Sequence, residues 1–153
     1  MEFKARARTC LFLASEAEMA AEVYTGLLPD SEIETVYRPD PAGPALVVEF
    51  TLAGAPFMAM NGNPEPRPSH MTSISVLTEG QAETDRLWDA LTEGGEESQC
   101  GWLKDRFGVH WQIVPKALPR LMAEGGETAQ KVSGALMGMK KIVIADLEAA
   151  ARG

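Results

Sequence analysis

One pattern is written twice along this chain, and it limits the fold more than any single motif does. Residues 8–13 read as a strand, and Ser15 with Glu18 has the spacing of a capping box, so a helix should start there. Ala17, Ala20, Ala21, Tyr24, Leu27 and Leu28 form an apolar stripe at helical spacing, stopped by Pro29-Asp30. Residues 31–37 alternate as a strand, and the Pro- and Gly-rich stretch 38–44 is a loop. Residues 45–52 and 56–61 then form a hairpin around Ala53-Gly54-Ala55. After a proline-punctuated linker, 62–69, the order recurs. A strand (71–77) precedes a second capping-box spacing, Thr78 and Gln81, and a helix with Leu87, Trp88 and Leu91 on its apolar face. Gly94-Gly95 ends that helix, and strands follow at 96–99, 102–104 and 109–114. Tyr24 and Leu27 correspond to Trp88 and Leu91 at one constant separation. The expectation is an α+β protein of two βαβββ modules, 5–61 and 70–115, in a single domain spanning 1–153.

The second hairpin is the most specific stretch. In Cys100-Gly101-Trp102-Leu103-Lys104-Asp105-Arg106-Phe107-Gly108, the chain extends and then turns over Asp105 to Gly108. It extends again from Val109 to Val114, and Pro115, which has no N–H to give a ladder, marks the end. Strand alternation places Val109, Trp111 and Ile113 on one face and His110, Gln112 and Val114 on the other. Both faces carry bulky groups. That pattern suits a sheet with helices on one side and a polar-dotted cavity on the other.

Asp105-Arg106-Phe107-Gly108 with Gln112 four residues on resembles the terminal signature of the glyoxalase, or vicinal-oxygen-chelate, superfamily. The wider text CGWLKDRFG…WQIVP is similar to its PhnB-like branch, catalogued as 3-demethylubiquinone 3-methyltransferase-like. The resemblance extends through Glu22-Val23-Tyr24, Phe57-Met58-Ala59-Met60-Asn61-Gly62, Gln81-Ala82-Glu83-Thr84-Asp85 with Trp88, and Met139-Lys140-Lys141-Ile142. It implies that the two modules pair into a curved sheet cupping a site. It also implies metal ligands, usually His, Glu or Gln, on the first and last strand of each module.

Carried onto this chain, those ligand positions fall near Arg8 or Thr9, near Met58 if Gly54 is taken as equivalent to Gly108, near Met71 to Ser73, and on Gln112. Only Gln112 is a plausible ligand. Thr9 and Ser73 are weak neutral donors, and a thioether suits soft metals rather than the hard or borderline cations of this chemistry. No metal and no cofactor are expected. The candidate ligand pocket is Met58, Met60, Trp102, His110 and Gln112, with His110 the candidate catalytic residue. His110 also fits a sheet edge or a subunit contact, and His70, beside three prolines, reads as a loop residue. A His70/His110/Gln112 metal site is a further alternative. Trp102, Trp111, Met58 and Met60 would fill a core or a cavity equally well. Cys10 and Cys100 read as structural, Cys10 as core.

The leading expectation is a metal-independent small-molecule binding protein. The alternative is an enzyme of the superfamily: a lyase, an isomerase or a dioxygenase-like relative with His110 as base, or a methyltransferase as the family label suggests. No Gly-rich turn follows a strand here, since Gly94-Gly95 and Gly125-Gly126 follow helices instead.

Composition narrows the partners. The net charge of −8 disfavours nucleic acid and anionic membrane surfaces, both of which call for basic patches. No apolar run reaches the length of a membrane span or a signal peptide, and two cysteines make no disulfide framework, so a cytoplasmic protein is expected. Beyond Pro115 a tail, 116–153, carries stripes at Leu118, Leu121 and Met122 and at Ala129, Val132, Leu136 and Met139. Two short helices, an extended piece at 140–144 and a final helix at 145–151 are expected. Something must cover the Val132, Leu136 and Met139 stripe: either the tail packs on its own chain or a second copy covers it, and a homodimer to which the tail contributes is expected.

Overall fold

A computed structural model describes residues 4–153. The chain divides into two compact units between Arg67 and Pro68.

In the first unit the order is β1 (Thr9–Phe12), α1 (Ala17–Leu27), β2 (Glu32–Tyr37), β3 (Val47–Leu52) and β4 (Ala55–Met60). The sheet runs β1-β4-β3-β2, with β1 parallel to β4 and the other pairs antiparallel. Helix α1 buries Ala17, Ala20, Ala21 and Tyr24, and the sheet buries Val48, Phe50, Leu52, Phe57 and Ala59. Alanines keep the helix close to the strands, and the Tyr24 ring fills the remaining space 6.4 Å from that of Phe50. Ala53 (φ +48°) and Gly54 (φ +83°) make the two-residue turn joining β3 to β4, a left-handed pair that matches strand twist.

The expected Ser15/Glu18 capping box does not form. Glu16 takes the N-cap position without a side-chain bond. The Ala17 N–H donates instead to Asn61 Oδ1 at 2.8 Å, while Asn61 Nδ2 donates to the Ala45 carbonyl at 2.9 Å. Glu18 pairs with Arg38 of the following loop. A partner supplied across the fold has displaced the local one, because an Asn at the end of β4 satisfies two chain segments at once.

The second unit repeats the order: β5 (Ile74–Thr78), α2 (Gln81–Thr92), β6 (Glu96–Glu97), β7 (Trp102–Lys104) and β8 (His110–Pro115). Its sheet runs β5-β8-β7-β6, again with the first and last strands parallel. Trp111, Ile113, Leu103, Leu87, Trp88 and Leu91 form the buried layer between helix and sheet. The second capping box is also absent. Gly80 is the N-cap of α2, and the Thr78 hydroxyl meets the Thr84 hydroxyl at 2.6 Å in the core.

Asp105 explains the β7–β8 turn. Its buried carboxylate accepts the Phe107 N–H (2.9 Å), the Val109 N–H (3.0 Å) and the Trp111 indole N–H (2.8 Å). Gly108, at φ +88°, donates its N–H to the Asp105 carbonyl, and a Cβ there would lie 3.1 Å from Pro68. One side chain therefore sets the turn and ties the strand that follows.

The tail forms α3 (Ala117–Met122), α4 (Gly126–Met137) and α5 (Ile144–Arg152). The stretch 138–143, expected to end in an extended piece, has no strand partner and is irregular. It is held as a strap. Cys100 N–H donates to the Met139 carbonyl and Gly101 N–H to the Lys140 carbonyl, both at 2.8 Å. Gln81 Nε2 donates to the Ile142 carbonyl, and Gln81 Oε1 accepts the Ile144 N–H. Gly101 has to be glycine, since a Cβ would come within 2.8 Å of Ile142 Cδ1 and 2.9 Å of the Ile113 carbonyl. Val132, Leu121, Ile142 and Leu147 form a buried cluster, with Leu136 and Met139 packed against it. Of the two expected covers for the Val132, Leu136 and Met139 stripe, the structure has the first rather than a second copy: the tail folds its helices over one another and covers the stripe within its own unit.

Candidate functional site

Each sheet has one face under its helix and one free of it. In the first unit, strand register lines up Tyr37, Val47, Met60 and Phe12 in one row across the free face. Thr35, Glu49, Met58 and Cys10 form the next row. Met58 and Met60 are half-buried, and Phe12 (48% exposed) and Tyr37 (58%) stand open. Cys10, read as core from its apolar strand, is an exposed member of this face. Burial of its neighbourhood still pushes the thiol up from its ordinary value. Apolar composition gave Cys10 a place in the core, but alternation along β1 turns it to the side without a helix.

Beside these rows lies an ion cluster that no sequence pattern signalled. The Arg8 guanidinium pairs with Glu34 and, through Nε, with Glu49 at 2.8 Å, and it donates to the Phe57 carbonyl at 3.1 Å. Glu34 sits where the β2–β3 register slips between Ile33 and Thr35, which brings its carboxylate to Arg8. The Arg8 hydrogen bond holds the Glu34 carboxyl below the usual carboxylate range, and the same bond raises Arg8.

In the second unit, register places Trp102, Gln112 and Ser75 in one row of the free face and Lys104 with His110 in the next. Gln112 Nε2 donates to Ser73 Oγ at 2.9 Å. His110 is only 7% exposed. His70 lies against it with ring centroids 4.1 Å apart, and Trp102 is 6.2 Å from His70. His70 lies in a turn, as expected of a loop residue, and is also a neighbour of His110, as the alternative grouping with His110 and Gln112 supposed, while Gln112 is turned to Ser73. Burial lowers the His110 pKa from the ordinary imidazole value, and the charges of His70 and Lys104 lower it further, against smaller opposing effects of Asp105 and Glu96. A neutral imidazole near neutral pH can accept a proton or hydrogen-bond a ligand. Among the predicted residues, the structure groups Met58 with Met60 on one face, and Trp102, His110 and Gln112 on another. Met71, expected to begin a strand, lies in a turn and is 91% exposed.

The sequence model of the 3-demethylubiquinone-9 3-methyltransferase family matches residues 5–114. The chain belongs to this family. Among solved structures, the PhnB protein of Bacillus cereus, which carries the same family name, is 30% identical. The match covers 72% of this chain and 99% of that one, at a TM-score of 0.63. The protein PA1353 from Pseudomonas aeruginosa is 23% identical, with 73% and 98% covered and a TM-score of 0.58. The fosfomycin resistance protein FosX from Mesorhizobium loti is 12% identical, with 80% and 99% covered and the same TM-score, and shows the shared fold. No curated protein matches. The PhnB-like chain thus has the glyoxalase-superfamily fold, with a C-terminal helical tail outside the matched segment.

The superfamily's metal can be tested against the donors present. At the first position Arg8 is committed to two carboxylates and Thr9 offers a lone hydroxyl. Met58 offers a thioether, and Ser73 and Gln112 bond each other. This donor set does not fit a hard or borderline divalent ion. Among the described residues, no group of three or more His, Cys, Asp or Glu converges to hold one. Among them, too, no helix is long and apolar enough to cross a membrane.

Proposed function

We propose that this PhnB-like protein binds a small organic molecule on the helix-free sheet faces and requires no divalent metal to do so. The candidate contacts are Met58 and Met60 on the face of the first unit and, as a separate face, Trp102, His110 and Gln112 on the second. The observation that carries it is the second-unit face. A nearly buried, neutral-leaning imidazole and a half-buried indole stand beside an amide pinned by Ser73, so that one aromatic surface and a few oriented polar groups share a face. The test is elemental analysis of protein dialysed against chelator, joined to a thermal-shift ligand screen. Hits should stabilise metal-free wild type, and His110→Ala should lose them. A stoichiometric metal that is required for binding would sink the proposal.

A second reading is an enzyme in which His110 is the base. The 4.1 Å packing of His70 on His110 favours it, because a neighbouring imidazole can receive or return the proton. A homodimer also belongs to the proposal. Its support is now the exposed Phe12, Tyr37 and Leu77 side chains rather than the tail. Sedimentation as a monomer at micromolar concentration would remove it.

A further inference from the structure

The two modules share a topology but differ in the connection after their second strand. In the second unit β6 reaches β7 through residues 98–101. In the first, β2 reaches β3 through 38–46, and this longer loop walls a cavity of about 430 Å³ at the end of the sheet, beside the start of α1. Ala14, Pro39, Pro44 and Leu46 give it an apolar lining. That volume lies within the range of roughly 300–1,000 Å³ usual for small-molecule sites.

The wall is built rather than slack. Pro39, Pro41 and Pro44 restrict its backbone. Arg38 pins it by donating to the Gly43 carbonyl while pairing with Glu18 of α1. The floor is knit by Asn61, whose amide bonds both Ala17 and Ala45, and by Asn61 N–H to Leu46 O and Gly62 N–H to Ala14 O, both 2.9 Å.

Besides Asn61, two polar side chains line the cavity and can meet a guest. One is the Ser15 hydroxyl. The other is Asp40, whose Oδ1 is fixed by the Ala42 N–H at 3.0 Å. The basic residue nearest in sequence, Arg38, is turned to Glu18, and among the described residues no lysine or arginine pairs with Asp40. An exposed carboxylate at the rim of this apolar-lined cavity, with no cation of its own among the described residues, complements an apolar molecule that carries one positive charge.

We propose that this cavity is a second ligand site, separate from the sheet faces, for a small organic amine: an apolar body seated between Pro39, Pro44 and Leu46, and an ammonium group donating to Asp40 and Ser15.

The probe is 2-phenylethylamine, with 2-phenylethanol as its uncharged match, titrated into ¹⁵N-labelled full-length protein. The amine should shift the amides of Ala14, Ser15, Leu46 and Gly62 saturably, and the alcohol should bind about tenfold or more weakly. Asp40→Asn should remove the preference for the amine, and Ala14→Leu should block both compounds while leaving the sheet amides in place. Equal binding of amine and alcohol, shifts that map elsewhere, or no saturation would overturn the proposal. So would shifts of these amides with protein concentration alone, which would give the cavity to a second copy of the chain. Loss of His110-dependent binding leaves this site untouched, so the two readings fail separately.

Discussion

The first and second modules were built to one plan, and they are reinforced in different ways. The first closes its β3–β4 turn with two left-handed residues, Ala53 and Gly54, and leaves the turn open to solvent, with no atom within 4 Å of a Cβ on Gly54. The second closes the equivalent β7–β8 turn around a buried carboxylate and lays Pro68 against its glycine. The first ties its helix to the sheet with Asn61, whereas the second uses Gln81 to hold a tail of three helices. The first also has an ion cluster, Arg8 with Glu34 and Glu49, while both histidines of the chain lie in the second. The sheet order is therefore independent of these devices. They decide how firmly each turn is held and which chemistry each face shows.

The sharpest way to break this comparison is to remove the tail. A chain ending at Lys116 would lose the cover that Ile142 gives Gly101. It should lose solubility or roughly 3 kcal/mol or more of stability, as deletion of buried aliphatic contacts does. Chemical denaturation followed by near-ultraviolet circular dichroism reads this out. An unchanged midpoint would mean that the second module is as self-sufficient as the first.

Next is Asp105→Ala, which leaves the Trp111 indole N–H and two backbone N–H groups without their acceptor. A loss of about 3 kcal/mol is expected. If the variant unfolds within 1 kcal/mol of wild type, the carboxylate does not organise the turn.

The two turn glycines make a matched pair. Gly108→Ala should cost about 2 kcal/mol, from the left-handed backbone together with the approach of Pro68. Gly54→Ala should cost about 1 kcal/mol, from the backbone alone. Equal losses in urea melts would erase the proposed difference between an open turn and a covered one.

The smallest effect is in pH. Lowered in the folded state, His110 takes up its proton less readily than in the unfolded chain. Its contribution is present above the unfolded value near 6.5 and is lost as pH falls below that value towards the lower folded one. Glu34, also lowered, keeps its contribution until pH falls below the ordinary carboxylate value of 4.5. Between pH 7 and 5 the wild type should therefore lose a little stability that His110→Gln does not, and the Arg8 cluster should respond only at more acid pH. Parallel pH profiles for the two proteins would show that His110 has no part in the slope.

Much of this was legible in the sequence. The matched positions of Tyr24 and Trp88, and of Leu27 and Leu91, announced two equivalent helices. Alternation from His110 to Val114 placed Gln112 and His110 on the face away from the helix, because strand period is a local property of the chain. Gly108 announced its turn for the same reason. The residues Asp105 and Gln112 were flagged through a short motif whose parts lie within one hairpin.

The remainder was decided by tertiary structure, because it depends on partners far apart in the chain. Neither capping box formed, since Asn61 reached Ala17 across the fold and Gly80 took the second cap, leaving Gln81 to bind the strap. Cys10 moved from core to surface, and the tail stripe was covered by the tail itself rather than by a second copy. His70 came to rest on His110, and Glu34 reached Arg8 only through a slip in strand register. Sequence periodicity says which way a side chain points along its own element. What it meets there is set by how the elements close on one another.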